Sequence, residues 1–142
     1  MNQMEVTFSA TLDNENFART AVGAFLTQLN PTIDEIIEFK TIVSEGVSNA
    51  IIHGYNGNPD CNVVIKVQIE DRNVKLIIQD YGKGIENLDQ VKTPFYTTAK
   101  ELEHAGMGMT IIETLSDKFE IESVANIGTK LIITKRLKDN LG

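Results

Sequence analysis

Val43-Ser-Glu45-Gly-Val-Ser-Asn49-Ala-Ile-Ile-His53-Gly54 is the stretch whose reading decides the rest of the chain. Its apolar residues Val43, Val47, Ala50 and Ile51 recur at helical spacing, and Ile33, Ile36 and Ile37 carry the same pattern backwards. Thr32 and Glu35 form a capping-box pattern at the start, and Gly54 with Tyr55-Asn-Gly-Asn-Pro59 stops the helix at its end. Glu45 and Asn49, four residues apart, share one face of this helix, and His53 continues their stripe. With the apolar side turned to a sheet, that polar stripe borders a cleft.

Elements with clear periods lie on either side. Residues 4–10 alternate as a half-buried strand does. Asp13 reads as a helix N-cap with Leu12 and Phe17 as a hydrophobic staple. The helix that follows carries Phe17, Ala21, Ala24, Phe25 and Leu29 and ends near Asn30-Pro31. Downstream, Val63, Ile65, Val67 and Ile69 alternate with polar residues, Asp71-Arg72-Asn73 turns the chain, and Val74 to Gln79 returns. Residues 81–106 read as mostly irregular, with a short helix near 86–92 and a break at Pro94. Met107 to Leu115 forms a short helix, and Phe119–Ser123 with Lys130–Lys135 closes the chain as a hairpin around Asn126-Ile-Gly128. The expected fold is α/β in the α+β sense: a single domain over residues 1–142, a two-layer sandwich with helices on one face of a mainly antiparallel sheet.

Composition limits the function. The 142 residues are 42% apolar and 23% charged, as in a globular domain with a real core. No run approaches the roughly twenty apolar residues that a membrane span needs, and the first residues lack the basic start and apolar stretch of a secretory signal. Twenty acidic against 13 basic residues give a formal charge of −7, which argues against a general nucleic-acid binder. The lone Cys61 allows no internal disulfide and suits a reducing cytoplasm.

Four polar signals then follow one another along the chain. Asn49 offers a hard oxygen suited to Mg²⁺, which takes the rest of its shell from water and phosphate. Glu45, one turn away, is placed to act as a general base on a group attacking a γ-phosphate. A solvated helix face with an Asn-to-Glu hydrogen bond uses the same residues. Asp80-Tyr-Gly82-Lys-Gly84 ends a strand; its carboxylate can accept from an exocyclic amine while the glycines let backbone approach a flat base. A strand-ending turn reads the same way. Gly106-Met107-Gly108 precedes a helix, where backbone N–H groups suit phosphate oxygens, with Thr97, Thr98 and Lys100 upstream as further donors. A surface loop with an N-cap glycine is the alternative. Gly128-Thr129 reads as a hairpin turn from which Thr129 could reach a base. His53 reads as a helix-terminal residue favoured by the helix dipole, and His104 reads either as a phosphate contact or as a solvent-exposed residue.

In this order the motifs resemble the GHKL superfamily of gyrase, chaperone, histidine-kinase and mismatch-repair ATPases, whose Bergerat-type fold binds ATP. Glu45-x-x-x-Asn49 is similar to its N box, and Asp80-x-Gly82-x-Gly84, Gly106-x-Gly108 and Gly128-Thr129 to its three glycine boxes. The stretch from Val43 to Tyr55 resembles the bacterial anti-sigma serine kinases. Asn14–Arg19, Asn30–Glu35, Phe95–Thr98 and Gly106–Ile111 point within them to the sporulation anti-sigma F group.

That resemblance implies a homodimer that sequesters a sporulation sigma factor when ATP-bound. It also implies a serine/threonine-protein kinase acting on the anti-anti-sigma protein. It implies ATP and Mg²⁺ as ligands, Glu45 as base, Asn49 as metal ligand, Asp80, Gly82 and Gly84 around adenine, and Gly106, Met107 and Gly108 at phosphates. Arg19 corresponds to a position that binds both partners. Sporulation members carry an acidic residue where Tyr81 stands and Thr-Lys-Pro-Glu-Leu-Glu-Arg where this chain has Thr98-Ala-Lys-Glu-Leu-Glu-His104. A histidine in place of that arginine is only partly charged near neutral pH. Two alternatives follow: a nucleotide-gated sigma-binding module with weak or no kinase activity, or a kinase of the general-stress anti-sigma B type.

Overall fold

The computed structural model describes residues 1–85 and 107–139. Five strands form one antiparallel sheet in the order β1-β2-β3-β5-β4. They are β1 (Asn2–Ser9), β2 (Asn62–Glu70), β3 (Asn73–Asp80), β4 (Lys118–Val124) and β5 (Gly128–Arg136). Among the described residues three α-helices accompany them: α1 (Glu15–Leu26), α2 (Ile33–Asn49) and α3 (Met107–Leu115). α2 packs between α1 and α3.

Alternation places Val63, Ile65, Val67 and Ile69 of β2, Val74, Leu76 and Ile78 of β3, and Leu131 and Ile133 of β5 on the buried face. These meet Leu26 of α1, Phe39, Ile42, Val43 and Val47 of α2, and Ile112 of α3 in one core. The opposite face carries Lys66, Gln68, Gln79, Lys130 and Thr134 and stays partly open to solvent. The expected two-layer sandwich is therefore the observed architecture.

The start of α2 is the capping box read from the sequence. Thr32 Oγ1 accepts the Glu35 N–H at 3.1 Å, and Glu35 Oε1 accepts the Thr32 N–H at 2.8 Å. Glu35 Oε2 also accepts the Lys138 N–H at 2.8 Å, so the cap clasps the chain after β5. Burial alone would raise the Glu35 pKa, but the N–H groups of Thr32 and Lys138, the Thr32 hydroxyl and the Arg72 charge outweigh it and hold it below the ordinary 4.5.

Several expectations need correction. Asp13 does not cap α1; Leu12–Asn14 form a 3-10 turn and the helix starts after Asn14. Leu12 and Phe17 are both about half exposed, and Phe17 packs edge-on against Phe8 with centroids 6.2 Å apart. The buried stripe of α1 is Ala18, Val22, Gly23 and Leu26; of the residues expected there Phe25 and Leu29 are partly buried against the core, while Phe17 and Ala24 are exposed. Ile33 and Ile37 of α2 are exposed, while Phe39 and Ile42 take the buried positions. The turn between β4 and β5 is at Ala125–Ile127, with Asn126 in the left-handed conformation at φ 64°. Gly128 and Thr129 therefore open strand β5, and are not the turn itself. The segment 86–106, including the helix expected near 86–92, lies outside the described residues.

Candidate nucleotide site

The site forms at one end of the sheet, where α2 runs out and β3 stops. α2 ends at Asn49 and continues into a π-type turn over Ala50–Gly54, closed by the Tyr55 N–H to the Ala50 carbonyl at 3.0 Å. Such turns recur at functional sites because they re-aim the chain without breaking the helix. Here the turn brings the Cα of Gly54 against the side chain of Asp80. A Cβ on Gly54 would sit 2.9 Å from both carboxylate oxygens.

Asp80 is 4% exposed at the last position of β3. Burial pushes its pKa above the ordinary carboxylate value of 3.8, against the opposing pull of the Gly82 and Thr129 N–H groups. Its Oδ1 accepts the Gly82 N–H at 2.9 Å. The remaining lone pairs make it an acceptor for one more donor, such as an exocyclic amine. Across the sheet Asp80 is in register with Thr129, and Thr129 with Ser123. The Thr129 and Ser123 hydroxyls meet at 2.8 Å, and both residues are buried.

The two glycines of Asp80-Tyr-Gly82-Lys-Gly84 have separate reasons to be glycine. Any side chain at Gly82 would run into the Gly54 carbonyl, which itself accepts the Lys83 N–H at 3.0 Å. Gly84 has φ +73° and lies against the backbone of Val124, so a side chain there meets both conformational and steric cost.

Glu45 and Asn49 are half-buried on α2, one turn apart. Neither side chain bonds another described residue, so the hydrogen bond between them that a plain solvated face would show is not made. The first turn of α3 faces Glu45: a Cβ on Gly108 would lie 2.9 Å from Glu45 Oε2. Asn49 offers a carboxamide oxygen that fits Mg²⁺ completed by water and phosphate, with the Glu45 carboxylate one turn away.

The structure thus brings Glu45, Asn49 and Gly108 into one cluster and Asp80, Gly82, Gly84 and Thr129 into another, joined through the end of α2. Met107 opens α3 as expected. Thr98, Lys100, His104 and Gly106 lie outside the described residues. His53 sits half-buried in the π-type turn. Arg19 stands apart on α1, where it donates to Glu15 at 2.8 Å, to Ser44 at 2.9 Å and to Asn16 at 3.2 Å. Sequence reasoning missed Tyr55 and Ser123. For Ser123 a signal existed, since the alternation of Phe119 and Ile121 puts this one polar residue on the inward face of β4.

A carboxylate and a carboxamide on one helix, with the start of α3 against the carboxylate and a buried aspartate against the turn that ends the helix, fit an ATP-binding domain of the histidine-kinase type. A family model described as the Histidine kinase-like ATPase domain matches residues 8–135. The chain belongs to the anti-sigma F factor family. It is 51% identical over 139 residues to the anti-sigma F factor of Bacillus cytotoxicus, covering 98% of this chain and 95% of that one. It is also 51% identical over 136 residues to that of Geobacillus thermodenitrificans, covering 96% and 93%.

Among solved structures, the RsbU and RsbW domains of a Mycobacterium tuberculosis protein superpose with a TM-score of 0.69 at 22% identity. The match covers 96% of this chain and 32% of that longer one. The SiaB–SiaC complex of Pseudomonas aeruginosa gives 0.63 at 12% identity, covering 92% and 88%. At these identities the likeness is one of fold. Among the described residues no helix is long and apolar enough to cross a membrane.

Proposed function

We propose that this chain sequesters a sporulation sigma factor when ATP-bound and transfers the γ-phosphoryl group of ATP to a serine of an anti-anti-sigma protein. The observation that carries the reading is the juxtaposition of Glu45 and the N-terminal turn of α3 beside Asn49, with the buried Asp80 one turn beyond. The family membership supports the partners, since the relatives bear the name anti-sigma F factor.

In this reading Asp80 accepts from the adenine amine, and Gly82 and Gly84 let the base lie against backbone. Thr129 supports that end. The N–H groups around Gly106, Met107 and Gly108, with Thr98 and Lys100, bind phosphate oxygens. Asn49 holds Mg²⁺, which neutralises charge on the phosphates when bound. Glu45 accepts the proton of the attacking serine hydroxyl. Arg19, held by Glu15 and Ser44 next to Glu45, is the contact for both protein partners. The chain acts as a homodimer.

The altered segment Ala99-Lys100 to His104 favours a second reading, a nucleotide-gated sigma-binding module with little phosphotransfer. Incubation with γ-labelled ATP and the anti-anti-sigma protein separates the two. Labelled phosphoserine is the expected result. No label, with ATP-dependent sigma binding retained, would select the second reading.

A further inference from the structure

The stretch Tyr81–Ile85 is held from two separate parts of the chain, the π-type turn after α2 and the β4–β5 hairpin. The Tyr81 N–H donates to Tyr55 Oη at 2.6 Å, and that hydroxyl donates onward to the Asn62 carbonyl at 2.5 Å. The Lys83 N–H donates to the Gly54 carbonyl, and the Asn126 N–H to the Lys83 carbonyl. At the far end the Ile85 N–H donates to Ser123 Oγ at 2.7 Å. Ser123 Oγ also lies 2.8 Å from Thr129 Oγ1 and 3.1 Å from the Gly128 carbonyl.

A serine hydroxyl has one proton and two lone pairs. All three Ser123 contacts are satisfied together in only one arrangement: it accepts from Ile85 and from Thr129, and donates to Gly128. That arrangement uses the Thr129 proton and leaves the lone pairs of Thr129 Oγ1 as acceptors in the strand position beside Asp80. Tyr55 and Ser123 are each 8% exposed, so both hydroxyls work where water competes little.

We propose that Tyr55 and Ser123 are positioning residues for base recognition. Their hydroxyls grip the two ends of the Asp80 loop, fix the carboxylate towards the base, and set Thr129 as an acceptor. The inference rests on the reading of this site as an adenine pocket. Their effect is therefore on selectivity for the exocyclic amine as well as on affinity.

The test compares binding of Mg-ATP with that of purine riboside triphosphate, which lacks this amine, by calorimetry on the full chain. Wild type should prefer ATP. In Tyr55→Phe and in Ser123→Ala the preference should fall on the order of fivefold, the worth of one net hydrogen bond. An unchanged ratio overturns the proposal, whether both affinities drop together, as a merely structural role would give, or neither moves. Should Tyr55→Phe not fold, Ser123→Ala decides alone. Failure of wild type to prefer ATP at all would instead strike the adenine reading itself.

Discussion

Asp80 shows how this site trades stability for binding. A carboxylate buried at the end of β3 loses hydration, and two N–H groups do not fully replace it. Its folded-state pKa lies above 3.8, so the folded chain holds that proton more tightly than the unfolded one. The stability it confers is complete at low pH and is lost as pH rises through the folded value. Asp80→Asn should therefore raise the melting temperature of the nucleotide-free protein near neutral pH. The gain should shrink as pH falls, and ATP affinity should drop. Thermal scans across pH check the first part and calorimetry the second. Gly108 makes the opposite case. Alanine in the helix favours it by about 0.5–1 kcal/mol, yet its Cβ would press on Glu45 Oε2. Gly108→Ala should hold or raise the melting temperature while phosphotransfer falls.

At the scale of elements, the π-type turn after α2 and the loop after β3 are built as a pair. Gly82 lies directly on the Gly54 carbonyl, and backbone cannot yield as a side-chain end can. Gly82→Ala should cost about 1–3 kcal/mol of stability in a urea titration and weaken nucleotide binding with it. Much of this was legible beforehand. The capping box at Thr32 and Glu35, the hairpin of β2 and β3, and the end of β3 at Asp80 each carry a local chemical signal. The buried side of α1 was not, because Phe17, Ala21 and Phe25 give as good a helical stripe as Ala18, Val22 and Leu26. Only the packing against α2 chooses between them. The π-type turn has no sequence marker, so the approach of Gly54 to Asp80 could not be read. The role of Tyr55 depends on that approach. Gly128-Thr129 was misplaced because turn and strand-start glycines look alike; the register with Asp80 decides.

On the scale of the whole molecule, a few polar contacts lock the helical layer to the sheet. Lys135 of β5 pairs with Glu38 of α2 at 2.9 Å and donates to the Leu115 carbonyl at 2.6 Å, which caps α3. Glu35 holds the chain after β5 at the opposite end of α2 from the site. Its pKa is depressed, so the sign is the reverse of Asp80: the contribution is present above about 4.5 and is lost as pH falls through the folded value. Glu35→Gln should lose on the order of 1–3 kcal/mol at neutral pH and show a weaker acid-side decline in urea midpoint than wild type. The arrangement leaves the nucleotide end of the sheet, with Glu45, Asn49 and Asp80, as the place where function is decided. Calorimetric titration of wild type and Asp80→Ala with Mg-ATP tests that most directly. Saturable binding by wild type with at least about tenfold loss in Asp80→Ala is the predicted result. Equal affinity in the two proteins, or no binding by wild type, would contradict the account.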